Sequence, residues 1–157
     1  MTEPYIIFEL GQSAYGVRST DVLHVEILEQ ITPVPNTAPA VEGIVFSRGH
    51  LYPALNLRVR FGLERVAHTA RSRLIFVTVH ERTVALVVDS AREFRAIAND
   101  TIRAVDTPLP GIAGNYVRGV ATVLGRMVLL LDVVAVLNLD DPAPLLAAAE
   151  AALAHNP

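Results

Sequence analysis

Two stretches of this chain can be laid over one another without a gap. GIVFSRGHLYPALNLRVRF (43–61) lies over GVATVLGRMVLLLDVVAVL (119–137), placing Gly43 on Gly119, Gly49 on Gly125, His50 on Arg126 and Asn56 on Asp132. A repeat of this kind constrains the fold more than composition does, because each copy must form the same local structure and then bury its face against something. Upstream, IIF (6–8) is matched with LIF (74–76), and Asp21 with Asp89 at the same spacing. ITPVP (31–35) has its counterpart in the segment from Ile102 to Pro110, with a few residues inserted.

The repeated unit is β-rich. YIIFEL (5–10) is followed by a turn at Gly11 to Ser13, and RLIFVTV (73–79), HERT and VALVVD (84–89) read as a hairpin. Valine, isoleucine and phenylalanine dominate these runs, as half-buried strands prefer. The reading is therefore all-β, with two similar halves near 6–62 and 74–137. Each is too small to bury much by itself, so the halves are expected to share apolar surface across an approximate two-fold relation. GLERVAHTARS (62–72) reads as a polar linker. Asp141 as N-cap, Pro142 at the first helical position and the alanine-rich run after it predict a C-terminal helix within 140–157.

Composition narrows the chemistry. There is no cysteine, so disulfides, thiolate metal sites and cysteine nucleophiles are excluded. None of the five histidines pairs with another at helical spacing, so no metal site is expected. Ser47 and His50 lie close together, but GIVFSRG is not a nucleophile elbow and no catalytic residue is assigned. Glycines occur singly within strands, so no phosphate-cradling loop is present. Net charge is −3 and aromatics are 6%, which argues against nucleic acid. All thirteen basic residues are arginine, whose planar fork suits protein interfaces better than lysine does.

Hydrophobic residues reach 52% with mean hydropathy +0.40, so some apolar side chains must remain on the surface, where contiguous ones mark partners. The longest apolar run, MVLLLDVVAVL, is broken by Asp132 and falls short of a membrane span. MTEPYIIFEL has no basic region and no cleavage site, so no signal peptide is read and a cytoplasmic location is expected. Asp89 and Asp132 end or interrupt apolar strands and are read as backbone hydrogen-bonding groups. An amide, Asn56, occupies the place of Asp132 in the first copy, which fits that role.

The stretch VEGIVFSRGHLYPALNLRVRFGL (41–63) resembles the signature of the CheW-like coupling proteins of bacterial chemotaxis. Phe8 and Leu10, VPNTAP (34–39), VVDSARE (87–93) and GVATVLGRMVLLLDVVAVL (119–137) follow in that family's order, so the likeness covers residues 5–139 as one CheW-like domain. It implies two five-stranded SH3-like barrels in pseudo-two-fold array and an adaptor without catalysis or cofactor. The implied partners are the regulatory domain of a CheA-type histidine kinase and the cytoplasmic tip of a methyl-accepting chemoreceptor, without direct membrane insertion.

Carried over by position, Arg48, Val22 and His24 are the implied partner-binding residues, and Gly43, Gly49 and Gly119 the backbone devices that shape the interface. His24 stands where the family often has glutamate, Asn56 where it usually has aspartate, and Ala85 where it usually has glycine. The family pattern leaves open a pilus-motility or other chemosensory-like pathway. A small-ligand or oligonucleotide-binding double barrel is the contrasting class.

Overall fold

The computed structural model describes residues 1–105 and 116–137. The C-terminal helix expected within 140–157 lies outside them, as does most of the Ile102–Pro110 counterpart segment.

Among the described residues, eleven strands run in order β1 (Thr2–Leu10), β2 (Ser13–Arg18), β3 (Val22–Ile27), β4 (Val41–Ser47), β5 (His50–Asn56), β6 (Arg73–Val79), β7 (Arg82–Val88), β8 (Ser90–Ala98), β9 (Arg103–Ala104), β10 (Val117–Val123) and β11 (Arg126–Leu131). Single helical turns α1 (Leu57–Arg60) and α2 (Val133–Leu137) follow β5 and β11. The six-stranded sheet is ordered β8-β1-β2-β11-β10-β9 and the five-stranded sheet β3-β6-β7-β5-β4. The two orders superpose element for element, with β8 matching β3, β1 matching β6, and the parallel pair β2–β11 matching β7–β5. The sheets are SH3-like barrels. The sixth strand is the two-residue β9, whose counterpart in the other barrel is a single bridge, Thr32 to Ile44.

Sheets and sequence halves do not coincide. The first hairpin of each half, β1–β2 or β6–β7, is built into the barrel of the other half. Both faces of these hairpins are consequently covered. Tyr5 and Ile7 of β1 fill the six-stranded barrel with Val128 and Leu130, while Phe8 and Leu10 turn into a core shared between the barrels. Leu74 and Phe76 of β6 fill the five-stranded barrel, and Ile75 and Val77 join Phe8, Leu55, Leu86 and Leu131 in the shared core. A strand covered on both faces is apolar at most positions, which is why YIIFEL and RLIFVTV alternate so poorly.

The upstream match at 6–8 and 74–76 is corrected by the hairpin registers. Leu10 pairs with Ser13 across the first turn, and Val79 with Arg82 across its counterpart, so Leu10 corresponds to Val79 and Ile7 to Phe76. The equivalence is displaced by one residue from the sequence match, and Asp21 is not the counterpart of Asp89. Three similar apolar residues align nearly as well in either register, but one-residue slips exchange the faces of a strand. The downstream match holds. Ser47 pairs with His50 and Val123 with Arg126, each across a two-residue loop.

Asn56 Oδ1 accepts from the backbone N–H of Val59 and Asp132 Oδ1 from that of Ala135, both at 3.2 Å. Each thereby caps the helical turn after its strand, the hydrogen-bonding role expected of that position. Arg60 ties the two turns together by donating its Nε–H to the carbonyl of Val136 at 2.8 Å.

Candidate functional site

The Arg48–Gly49 loop has φ of 50° and 84°, and the equivalent Leu124–Gly125 loop has 52° and 77°. Two consecutive positive φ values define the hairpin turn whose twist matches the flanking strands. Arg48 and Leu124 are both exposed at these tips. The same bend therefore presents a cation on one barrel and an apolar group on the other.

Gly43 and Gly119 serve a different purpose. Each lies at a β-bulge, where an incoming segment crosses the strand. A Cβ on Gly43 would sit 2.0 Å from the Thr32 carbonyl oxygen, and one on Gly119 would sit 3.1 Å from that of Arg103. Only a bare backbone lets residues 31–33 bond across to Ile44, where Thr32 and Ile44 exchange both hydrogen bonds at 2.9 Å. By contrast, a Cβ on Gly49 would meet nothing within 4 Å, so that glycine is needed for its φ alone.

Val22 is half-buried against the shared core and pairs with Val77. His24 also points inward: its side chain is 9% exposed and its ring stacks on Phe76 with centroids 4.3 Å apart. His24 Nε2 lies 2.6 Å from Glu26 Oε2 and 3.3 Å from Ser47 Oγ, and Ser47 Oγ–H donates to the same carboxylate oxygen. A carboxylate can only accept, so Nε2 carries the hydrogen. β3 and β4 are the two edges of the five-stranded sheet. This polar seam draws them together through side chains.

With His24 and Glu26 turned in, the intervening residues Leu23, Val25 and Ile27 face out, and Leu23 and Ile27 are more than half exposed. On β4, Phe46 is 71% exposed beside the seam. Ile27, Phe46, Ile44, Glu26 and Glu29 line an open cleft of about 570 Å³ between the two edges. The usual strand pattern is inverted here, with polar groups inside and an apolar row outside. The row escaped the sequence reading although the alternation in VLHVEI displays it, because nothing local says which parity faces the barrel.

Arg48 and His24 thus lie near one another where the two edges of the five-stranded sheet meet, Arg48 following Ser47 directly. Gly43 sits on β4 away from that tip, and Gly119 belongs to the other barrel. Among the described residues no group of three or more histidines, aspartates or glutamates could hold a metal ion. Nor is any described helix long and apolar enough to cross a membrane.

A pair of interlocked barrels whose exposed edge carries an apolar row beside a cationic tip defines a protein-docking module. The chain matches the family model described as the CheW-like domain over residues 4–141, and it belongs to that family, the coupling adaptors of chemotaxis. It is 26% identical over 141 residues to the chemotaxis protein CheW of Klebsiella aerogenes, covering 90% of this chain and 85% of that one. The chemotaxis protein CheW of Rhizobium meliloti is 28% identical over 131 residues, covering 81% and 82%. Among solved structures, the scaffolding protein TtCheW from Thermoanaerobacter tengcongensis superposes with a TM-score of 0.78 at 27% identity, over 84% of this chain and 90% of that one.

Proposed function

We propose that this chain is a cytoplasmic, non-catalytic scaffold that couples methyl-accepting chemoreceptors to a CheA-type histidine kinase. The outer row of β3, with Phe46 and the Arg48 tip, receives the kinase regulatory domain. The receptor's helical hairpin lies in the groove between the barrels, as an amphipathic helix lies in an apolar groove. The protein acts stoichiometrically: each partner's contacts bias the other's state, and no group is transferred.

The observation that carries this reading is the inverted pattern of β3, with Leu23, Val25 and Ile27 exposed while His24 and Glu26, hydrogen-bonded to one another, are partly buried. Holding three apolar side chains in water gains nothing for the isolated chain. Covering each with a partner is worth about 1 kcal/mol or more at half exposure.

The test is binding of the purified chain to the regulatory domain of its cognate kinase and to the cognate receptor tip. Val25→Glu and Phe46→Ser should weaken kinase binding about tenfold or more, a loss near 1.4 kcal/mol, while melting stays unchanged. Arg48→Glu should weaken binding to at least one of the two partners. Kinase affinity untouched by the first two variants would refute the assignment of this surface.

A further inference from the structure

The equivalent corner of the six-stranded barrel is built from different chemistry. Three guanidinium groups, from Arg71 in the linker, Arg92 on β8 and Arg126 on β11, converge on the single carboxylate of Glu9. Arg126 Nη1 donates to Glu9 Oε2 at 2.8 Å and its Nη2 to the Gln12 carbonyl at 2.9 Å, while Ser90 Oγ–H donates to Glu9 Oε1 at 3.0 Å. Glu9 is therefore already satisfied. Arg92 and Arg71 approach it only to 3.6 and 3.9 Å, beyond hydrogen-bond length, and both side chains are more than half exposed. The neighbouring Arg58 is neutralised by Asp89.

Among the described residues, one carboxylate against three cations leaves two positive charges in excess, within a protein of net charge −3. The fold does not require them. By the strand registers, the counterparts of Glu9, Arg92 and Arg126 on the other barrel are Thr78, Leu23 and His50, none of which carries a guanidinium. Beside the cluster, Val66, Ala67 and Ala70 of the linker wall an open cavity of about 530 Å³ that also reaches Glu9, Arg71 and Ser90.

We propose that this corner is a second docking surface, which takes an acidic segment of a protein partner. A carboxylate of that segment bridges Arg71 and Arg92 through their exposed forks, and an adjacent apolar side chain lies against the linker wall. Exposed guanidinium groups beside a small apolar recess fit such a peptide by charge complementarity. The surface is distinct from the apolar row on β3 and does not depend on the coupling reading.

The experiment titrates the purified chain with a short peptide of alternating glutamate and leucine. The same peptide with glutamine for glutamate and inorganic phosphate serve as comparisons. The glutamate peptide should bind with an affinity that falls as salt is raised. The double variant Arg71→Glu/Arg92→Glu should weaken it about tenfold or more without a change in melting temperature. The milder pair Arg71→Gln/Arg92→Gln should fall between. Equal binding of the glutamine peptide, full affinity in the double variant, or displacement of the peptide by equimolar phosphate would each overturn the proposal. So would salt-sensitive self-association abolished by the double variant, since the occupant would then be a second copy of this chain.

Discussion

Arg58 and Asp89 meet fork to fork, Nε 2.8 Å from Oδ1 and Nη2 2.5 Å from Oδ2. Asp89 Oδ2 also accepts the backbone N–H of Gly11 at 2.7 Å. One carboxylate therefore joins the β1–β2 turn, the corner between β7 and β8, and α1. These are the places where hairpins of one half enter the barrel of the other. A bidentate, partly buried pair of this geometry outweighs an ordinary surface ion pair. Asp89→Ala should destabilise the chain by about 1–3 kcal/mol, read as a lower urea midpoint with the slope unchanged.

The same pair sets an acid limit. The hydrogen bonds from Arg58 hold the Asp89 carboxyl below its ordinary value despite partial burial, and those from Arg126 and Ser90 do so for Glu9. Each depressed carboxyl contributes stability that is fully present above the unfolded-state pKa, about 4, and lost as pH falls through the lower folded value. Stability should thus decline below about pH 4. Asp89→Asn should flatten that decline while lowering stability at neutral pH, as thermal melts across the range would show. A variant with the wild-type pH slope would exclude Asp89 as a contributor.

Two glycines of the repeat should respond very differently to one added methyl. Gly43→Ala drives a Cβ into the Thr32 carbonyl and must break the Thr32–Ile44 bridge, costing about 3 kcal/mol. Gly49→Ala meets open space and bears only the strain of a positive φ, about 1 kcal/mol. Chemical denaturation of the two variants side by side should reproduce that order, and the reverse order would contradict the bulge geometry.

At the seam, His24→Glu would set a second carboxylate against Glu26, a repulsion of like charges. The expected cost is about 1–3 kcal/mol, read as a lower urea midpoint. The other barrel already holds the remedy. Its residues at the equivalent positions are Glu93 and Arg95, whose side chains bond at 2.9 Å. Adding Glu26→Arg to His24→Glu should therefore restore most of the loss, a non-additivity that a double-mutant cycle would measure.

The two helix caps differ in what else they hold. Asn56 is buried and donates Nδ2–H to Glu42 at 2.8 Å, whereas Asp132 caps from an exposed position. Asn56→Ala should cost about 2 kcal/mol and Asp132→Ala nearer 1 kcal/mol. Asn56→Asp retains the cap but faces Glu42 with like charge, so it should be less stable than wild type in equilibrium melts.

Much of this was legible from residues alone because it is local. Arg48–Gly49 and Leu124–Gly125 declare their turns through glycine, and Asn56 and Asp132 declare their caps through short polar side chains after an apolar run. Gly43 and Gly119 could be marked as backbone devices, but the segments crossing them could not be named. Val22 and His24 carried a partner-binding expectation by position in the family, yet both side chains turn largely inward. β8 was not foreseen as a strand, because SAREFRAIA mixes charge and apolar groups without a clean period.

The sequence by itself determined that there are two copies of one β unit, where their hairpins turn, which short polar residues bond the backbone after the last strand of each copy, and to which family the chain belongs. Each depends on chemistry within a few residues, or on a pattern of such chemistry along the chain. Only the tertiary structure decided that the hairpins exchange barrels, that the upstream copies match one residue further along, and that Leu23, Val25 and Ile27 face outward. A strand has two faces, and its own residues say only which of them alternate. Which face is buried depends on what pairs and packs against it, and those partners lie on distant parts of the chain.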